Sequence, residues 1–285
     1  MSSRPPVVLS IAGSDPSGGA GIQADLKTFS ALGAYGTCVI TALTAQNTRG
    51  VTGVHGVPAA FVRQQLETLA DDVRIDAVKI GMLGGADVVR EVGAFLTERA
   101  FPVVVLDPVM VATSGDRLLA ADAVAALREL LPLASIITPN LPEAGDLLGT
   151  GAATDVDGML AQAEQLLALG PQRVLLKGGH LVGSGAEQAS SDAAEAVDVL
   201  ACDHGGRHVL RSPRVDTTST HGTGCSLSSA IAALVPQRDS WGTAVREAKQ
   251  WLTDALAAAD ELRIQRDPAA GGHGPVHHFH AVWPR

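Results

Sequence analysis

The chain alternates short apolar segments with longer stretches in which apolar residues recur at helical spacing. Val7–Ala12 has the composition of a buried strand, whereas Ala59–Asp72 repeats its apolar residues every three or four positions, as one face of a helix does. Residues 103–107 are apolar for most of their length, which is typical of parallel strands covered on both faces. The repeated order of strand, loop and helix predicts an α/β fold with a mostly parallel central sheet between two layers of helices.

The same pattern gives bounds for the individual elements. Predicted strands are Val7–Ala12, 35–45, 53–57, 77–81, 103–107, 135–138 and Arg173–Lys177, and predicted helices include 21–32, Ala59–Asp72, Thr223–Leu234 and 241–262. Residues 197–200 and 207–210 are predicted to form an antiparallel hairpin at a sheet edge. The small, polar and acidic residues 183–194 predict a surface loop. We find no repeat and no long linker, so a single domain over residues 1–285 is predicted.

Composition narrows the class of protein. A chain of 285 residues that is 46% hydrophobic can bury a large core, and its net charge of −9 without a lysine or arginine run argues against a nucleic-acid partner. No apolar segment approaches membrane-spanning length, and the N-terminal residues lack a signal-peptide pattern. Cys38, Cys202 and Cys225 are too few and too widely spaced for a disulfide framework or a zinc motif. A soluble cytoplasmic protein without a membrane partner is expected.

The most informative segment is glycine-rich and leads directly into a predicted helix. Residues 216–225 end in Gly222, Thr223, Gly224 and Cys225, so backbone N–H groups and the helix dipole should converge on one point. This arrangement predicts a site for a phosphate-sized anion. Cys225 at the helix start is expected to have a lowered thiol pKa. The alternative for this segment is a tight turn with a small buried cysteine.

Other chemistry-bearing residues follow the ends of predicted strands, where parallel sheets bind their ligands. The small residues 13–21 should let a ligand approach the backbone, and Asp25 on the next helix should face the same end, unless it is a helix-start charge. The Gln46 amide both donates and accepts, which suits a heteroaromatic ring carrying an amino group. Met82 could pack on that ring. The alternatives are local backbone bonding for Gln46 and ordinary core packing for Met82.

A second group of strand ends carries charge. Asp107 and Glu143 follow neighbouring predicted strands, and carboxylate oxygens are the ligands that Mg²⁺ prefers. Lys177 adds a cation beside a glycine turn, and Asn140 is a further polar candidate whose alternative role is a helix N-cap. An acid pair, a lysine and an anion-binding helix start together predict Mg²⁺-assisted phosphoryl transfer, and hence a kinase.

With these residues identified, the chain closely resembles the ribokinase-like superfamily and, within it, the hydroxymethylpyrimidine/phosphomethylpyrimidine kinases of thiamine biosynthesis. The resemblance covers nearly the whole chain. Its motifs are IAGSDPSGGAGIQAD at 11–25, TALTAQNT at 41–48, KIGML at 79–83, TPNLPEA at 138–144, LKGGH at 176–180 and THGTGC at 220–225. The histidine-containing tail at 274–279 also looks familial, which disfavours the alternative of a metal site there.

The resemblance implies ATP-dependent phosphorylation of 4-amino-5-hydroxymethyl-2-methylpyrimidine, first to its monophosphate and then to its diphosphate. It implies a pyrimidine pocket, an anion hole, an ATP site and bound Mg²⁺, and family members are commonly homodimers. The pocket residues would be Gln46, Gly13, Ala20, Asp25, Met82 and Val109; the catalytic residues Gly222, Thr223, Gly224, Cys225 and Lys177; the ATP-binding residues Asn140, Lys177 and Thr217; and the Mg²⁺ residues Glu143 and Asp107, directly or through water or phosphate.

One position separates this chain from most of the superfamily. Cys225 stands where most members have the aspartate that acts as the base, and the pyrimidine kinases also have cysteine there. Two alternatives stay open at this point. A pyridoxal or pyridoxine kinase could use the same scaffold, and a non-catalytic module could bind the pyrimidine without turning it over. Retention of Lys177, Glu143 and the 222–225 loop argues against the second alternative.

Overall fold

The computed structural model describes residues 4–110, 121–179, 181, 195–267, 269 and 271–283. The strands are β1 Val7–Ala12, β2 Tyr35–Ile40, β3 Ala42–Asn47, β4 Gly50–Gly56, β5 Ala77–Ile80, β6 Val104–Leu106, β7 Ile136–Ile137, β8 Arg173–Lys177, β9 Glu195–Cys202 and β10 Arg207–Pro213. The α-helices are α1 Gly21–Ala31, α2 Ala59–Asp72, α3 Ala86–Glu98, α4 Ala121–Leu130, α5 Leu141–Leu148, α6 Val156–Leu167, α7 Thr223–Leu234 and α8 Trp241–Ala257.

An eight-stranded sheet forms the middle layer, in the order β10-β9-β8-β7-β6-β5-β1-β2. The strands from β2 to β8 in this sheet pair in parallel, whereas β9 and β10 form an antiparallel hairpin on the β8 side. Because successive strand residues point to opposite faces, Leu9 and Ile11 of β1 enter one buried cluster and Val8 enters the other. Helices α2 to α6 pack on the first face, and α1, α7 and α8 pack on the second. The predicted three-layer α/β/α architecture is therefore confirmed.

The largest departure from the predicted elements occurs at Thr41. Residues 35–45 were expected to form one strand, but β2 pairs with β1 in the main sheet and β3 pairs with β4 in a separate two-stranded sheet. The Thr41 N–H donates to the Ala12 carbonyl, and the Thr41 carbonyl accepts from the Val57 N–H. These bonds hold the residue where the chain leaves one sheet for the other. The uniform β-forming composition of the segment carries no signal for this change of partner.

The remaining differences are shifts of element ends. The edge hairpin is longer than predicted, at Glu195–Cys202 and Arg207–Pro213, and the predicted strand 53–57 is Gly50–Gly56. The last α-helix ends at Ala257 and is followed by a 3-10 turn, Ala259–Glu261, instead of continuing to residue 262. The predicted loop 183–194 lies outside the described residues. The single domain over residues 1–285 stays a prediction.

This architecture brings the ends of five parallel strands to one edge of the sheet. The loop after β1, the turns after β5 and β6, the start of α5 after β7 and the turn after β8 all lie there, and α7 begins over the same edge. Within the described part of the chain, no helix is both long enough and apolar enough to span a membrane.

Candidate active site

A cavity of about 560 Å³ lies along this edge of the sheet. Its walls come from the loops after the parallel strands, the start of α7 and the hairpin end of the sheet. Among the described lining residues are the predicted Gly13, Ala20, Gln46, Met82, Asp107, Val109, Asn140, Glu143, Lys177, Thr217, Gly222, Thr223, Gly224 and Cys225. The structure therefore brings together the predicted residues of all the proposed subsites, with Asp25 as the exception discussed below.

One end of the cavity is suited to a flat ring. The register of β3 against β4 shifts between Ala45 and Gln46, and such bulges re-aim the side chain that follows. Gln46 then lines the cavity together with Met82 and Val109. A Cβ atom on Gly13 would lie 2.3 Å from the Met82 Cε atom, so the absence of a side chain at Gly13 makes room for Met82.

A buried pair, Asp15 and His221, stands beside Gln46 and was not predicted as functional. The His221 Nε2 atom lies 2.7 Å from Asp15 Oδ2, and the two residues are 5% and 1% exposed. Burial alone would raise the pKa of Asp15, but hydrogen bonds from His221, Ser17 and the Ala20 N–H lower that pKa to about 2. Asp15 is therefore ionised at neutral pH. Both residues lie within the THGTGC and IAGSDPSGGAG motifs, yet nothing in the sequence pairs two positions 206 residues apart.

The residues predicted to form an anion cradle lie at the start of α7. Gly222 precedes the helix with φ +77°, a left-handed conformation that favours glycine. A Cβ atom there would lie 1.7 Å from the Gly19 carbonyl oxygen, so only glycine fits. The amides of a first helical turn lack carbonyl partners within the helix. Thr223 and Gly224 begin this helix and line the cavity, and the Thr223 N–H donates to the Thr220 carbonyl at 3.3 Å, just outside the helix. Positive helix-end charge is therefore directed into the cavity.

The expected low pKa of Cys225 is wrong. The residue occupies the first turn of α7 and lines the cavity, but burial raises the pKa of its thiol to about 11. Lys79 opposes this rise, whereas the charges of Asp25 and Asp107 add to it. The expectation of a low thiol pKa rested on the position of Cys225 at a helix start. Burial in the folded protein outweighs the effect of the helix start, and the carboxylates of Asp25 and Asp107, which add to the rise, come from distant segments of the chain.

Asp25 does not line the cavity in the described structure. It is fully buried on α1, where both of its oxygens lie 2.9 Å from Lys79 Nζ and its Oδ1 accepts from Ser229 at 2.7 Å. It lies beyond the first turn of α1, so it is not a helix-start charge either. Lys79, also fully buried, does line the cavity. A lysine within the apolar strand β5 was a signal that sequence reasoning missed, because buried lysines require a partner.

Asp107, which follows β6, and Lys177, the last residue of β8, form an ion pair in the cavity lining. Lys177 Nζ lies 2.9 Å from Asp107 Oδ1, which also accepts from the Thr138 hydroxyl at 2.9 Å. Burial would raise the pKa of Asp107, but Lys177 and Lys79 lower it. A Cβ atom on Gly224 would lie 3.1 Å from Lys177 Nζ, which places this ammonium group directly beside the anion cradle.

Asn140 and Glu143 form a capping box at the start of α5. The Glu143 N–H donates to Asn140 Oδ1 at 2.9 Å, and the Asn140 N–H donates to Glu143 Oε2 at 2.8 Å. The N-cap alternative for Asn140 is therefore confirmed, while both residues also line the cavity. Burial raises the pKa of Glu143 to about 7; Lys177 opposes this rise and Asp107 adds to it.

These carboxylates fit a metal ion only in part. Within the described residues, no group of three or more His, Cys, Asp or Glu side chains is arranged to hold one. Glu143 and Asp107 are two buried carboxylates close enough for their charges to interact. A cation would offset the free-energy cost of burying two negative charges. They could thus supply part of a Mg²⁺ coordination shell, with phosphate and water oxygens supplying the rest. The tail histidines form no such group, and His278 packs against Ser226 with its Nε2 3.0 Å from that hydroxyl.

The opposite end of the cavity lies between α8 and the hairpin. Thr217 lines it and donates to Asp260 at 2.8 Å. Lys249 of α8 also lines it, and its Nζ lies 2.6 Å from Asp198 Oδ2, while the other Asp198 oxygen accepts from the Gly178 N–H at 3.0 Å. This pair fixes the turn that follows Lys177. The sequence signal was Asp198, an acid between apolar residues of strand β9, and its partner was not predicted.

Comparison with known proteins identifies the relatives of this chain. A family model described as phosphomethylpyrimidine kinase matches residues 15–277. The hydroxymethylpyrimidine/phosphomethylpyrimidine kinase of Salmonella typhimurium is 53% identical over 276 residues, covering 96% of this chain and 98% of that protein.

Two solved structures give the same picture of the fold. A phosphomethylpyrimidine kinase of Clostridium difficile has a TM-score of 0.76 at 42% identity, covering 88% of this chain and 99% of that one. A Bacillus subtilis pyridoxal kinase solved with ADP has a TM-score of 0.84 at 35% identity, covering 97% of this chain and 98% of that one. With the sequence relatives and the family match, these findings show that this chain belongs to the phosphomethylpyrimidine kinase family.

Proposed function

We propose that this protein uses ATP to phosphorylate 4-amino-5-hydroxymethyl-2-methylpyrimidine and then the resulting monophosphate, as a bifunctional kinase of thiamine biosynthesis. One observation carries the proposal. A single continuous cavity joins the ring-binding end at Gln46 to the start of α7 and to Lys177. An acceptor bound at the ring end would present its hydroxymethyl group to the anion cradle, which is the geometry that phosphoryl transfer requires.

The ring would lie between Met82 and Val109, with the Gln46 amide on its polar edge. Thr223 and Gly224 of the cradle and the Lys177 ammonium would stabilise charge on the transferred phosphoryl group. ATP would extend from Asn140 towards Thr217 at the far end of the cavity. Mg²⁺, held by Glu143 and Asp107 together with phosphate oxygens, would neutralise phosphate charge.

We further propose a cytoplasmic homodimer of single-domain subunits. The two-stranded sheet of β3 and β4 stands apart from the main sheet and leaves Leu43 49% and Val54 56% exposed. The two side chains lie on opposite faces of this small sheet, because Leu43 pairs with His55 and Val54 pairs with Thr44, so each face offers one apolar residue to the proposed subunit interface. Sedimentation of the purified protein tests the dimer. A monomer that persists at micromolar concentration would contradict it.

Turnover with a panel of ring compounds tests the proposed substrate. We expect ATP consumption with the aminopyrimidine alcohol and with its monophosphate, at higher kcat/KM than with pyridoxal or pyridoxine. The observation that supports the pyridoxal kinase alternative is the structural similarity to the Bacillus subtilis pyridoxal kinase. A preference for pyridoxal would support that alternative, and binding of the pyrimidine without turnover would support a non-catalytic module.

Glu143→Gln tests the proposed Mg²⁺ role. The substitution removes a charge from the α5 start while retaining an oxygen that can accept from the Asn140 N–H. We expect a rise of about tenfold or more in the Mg²⁺ concentration for half-maximal turnover, since changing even a residue behind the direct ligands typically costs about 10–100-fold in metal affinity. Pyrimidine affinity measured by calorimetry should not change. An unaltered Mg²⁺ titration would remove Glu143 from the metal site.

The raised pKa of Cys225 gives a pH test of its role as a base. A thiol with a pKa of about 11 is neutral at pH 7, and its thiolate fraction rises with pH. If this thiolate accepts the alcohol proton, the first phosphorylation should accelerate by about tenfold per pH unit from pH 7 to 9. The second phosphorylation should lack this rise, because its acceptor is already ionised.

Cys225→Ser provides the matched comparison. We expect it to slow the first step by about 10²–10⁴-fold and to abolish its rise with pH, while the second step changes little. Single-turnover rates of each step, measured separately across this pH range, give the answer. Equal losses in both steps would mean that Cys225 shapes the anion cradle, and no loss in either would make it a packing residue.

A further inference from the structure

The side-chain amide of Gln46 lies between two polar neighbours that constrain its orientation. Its Nε2 atom is 3.4 Å from His221 Nε2, and its Oε1 atom is 3.2 Å from the Thr44 hydroxyl. The nitrogen and oxygen of a carboxamide exchange places by a half rotation with little change of shape, so hydrogen-bond partners decide between the two orientations. Both neighbours can be assigned as donor or acceptor from their other contacts.

His221 is a donor at Nε2. This atom lies 2.7 Å from Asp15 Oδ2, and a carboxylate can only accept. Asp15 also accepts from the N–H groups of Ser17, Gly19 and Ala20, so the surrounding donors hold it in the ionised form. Nε2 therefore carries a hydrogen whether the imidazole is neutral or charged. A second N–H group facing it from Gln46 would be repulsive, whereas the amide oxygen there could share that hydrogen.

Thr44 is an acceptor towards Gln46. Its hydroxyl has one hydrogen, and the Ser14 carbonyl, at 2.8 Å, lies closer than Gln46 and cannot itself donate. The hydroxyl hydrogen is therefore used in the bond to Ser14. The lone pairs that remain on the oxygen of Thr44 favour an N–H group from Gln46.

Both neighbours thus require the same orientation of the Gln46 amide, in which its nitrogen and oxygen exchange the positions given above. We propose that Asp15, His221 and Thr44 are positioning residues that hold the Gln46 amide with its oxygen towards His221 and its nitrogen towards Thr44, and so make the site select a 4-aminopyrimidine over its 4-oxo analogue. This proposal rests on the proposed function for the identity of the ring. Asp15 acts through His221, so an interaction within the cavity wall would determine the hydrogen-bond pattern that Gln46 presents to the ligand.

Selectivity follows from the fixed order of donor and acceptor. The free lone pair of the amide oxygen and the second N–H of the amide face the ligand. An amino group beside a ring nitrogen matches this pattern, whereas an oxo group beside a ring N–H reverses it. Turning the ring over would restore the match, but the hydroxymethyl group would then point away from the cradle at residues 222–225. The oxo analogue therefore binds only if the amide rotates.

The amide orientation is measurable without substrate. In protein labelled with ¹⁵N at glutamine side chains, with the Gln46 resonance assigned by loss in Gln46→Leu, we expect nuclear Overhauser contacts from the Gln46 NH₂ group to the Thr44 side chain. Contacts to the His221 ring in their place would overturn the proposed orientation. This measurement does not depend on which ring compound the enzyme uses.

Discrimination between the two rings tests the functional consequence. Thr44→Val removes the acceptor while retaining the shape, and Thr44→Ser, the matched control, retains the hydroxyl. We expect the ratio of amino to oxo affinities, measured by calorimetry, to fall about tenfold or more in Thr44→Val, the cost scale of one mismatched polar contact, and to be retained in Thr44→Ser. His221→Phe should lower the same ratio. In the two Thr44 variants, KM for ATP should stay unchanged.

A purely structural role predicts a different result. Loss of packing would weaken both rings equally and leave the ratio unchanged, which would overturn the proposal. If a variant proves too unstable for calorimetry, the amide orientation in the unmodified protein still decides it. Failure of the proposed function is distinguishable, because the unmodified protein would then bind neither pyrimidine.

Discussion

The candidate site depends on the close approach of two backbone segments, the loop after β1 and the turn before α7. A side chain at Gly222 would collide with the Gly19 carbonyl, with a Cβ-to-oxygen distance of 1.7 Å, so the contact exists only because position 222 is glycine. The buried Asp15–His221 pair joins the same two segments by side chains. This contact sets the ring-binding loop beside the anion cradle. Without this contact, the two halves of the cavity would not lie side by side.

Buried lysine–carboxylate pairs hold the other walls of the cavity. Lys79 pairs with Asp25, Lys177 with Asp107 and Lys249 with Asp198, and each pair joins elements that are distant in sequence. Pairs of this kind contribute little net stability relative to apolar packing, because desolvating both charges is costly, but losing one partner is strongly destabilising. Their value here is in position, because all three lysines belong to the lining of the cavity in which polyphosphate would bind.

The sequence predicted those features that depend on local pattern. Apolar runs located the parallel strands, and strand ends located the lining residues, because parallel strands deliver their carboxyl ends to one edge. Pairings between distant segments were missed. The Asp15–His221 pair and the partner of Asp25 are of this kind, and the burial that raises the pKa of Cys225 likewise depends on packing between distant segments. The change of sheet at Thr41 was missed for a related reason, since β-forming composition does not indicate which strand will be the pairing partner.

The fold is similar to that of both a phosphomethylpyrimidine kinase and a pyridoxal kinase, so the fold alone does not determine which ring compound is the acceptor. Layers, strand order and an anion cradle suit any acceptor with a hydroxymethyl group on a flat ring. Met82 and Val109 line the cavity with apolar side chains, which would suit a flat ring of either kind. Ring identity must then be read by the few polar atoms on the ring edge, and the price of a mismatch there is an unpaired polar group. Such reading requires a carboxamide that does not rotate freely, and the neighbours of Gln46 restrain it.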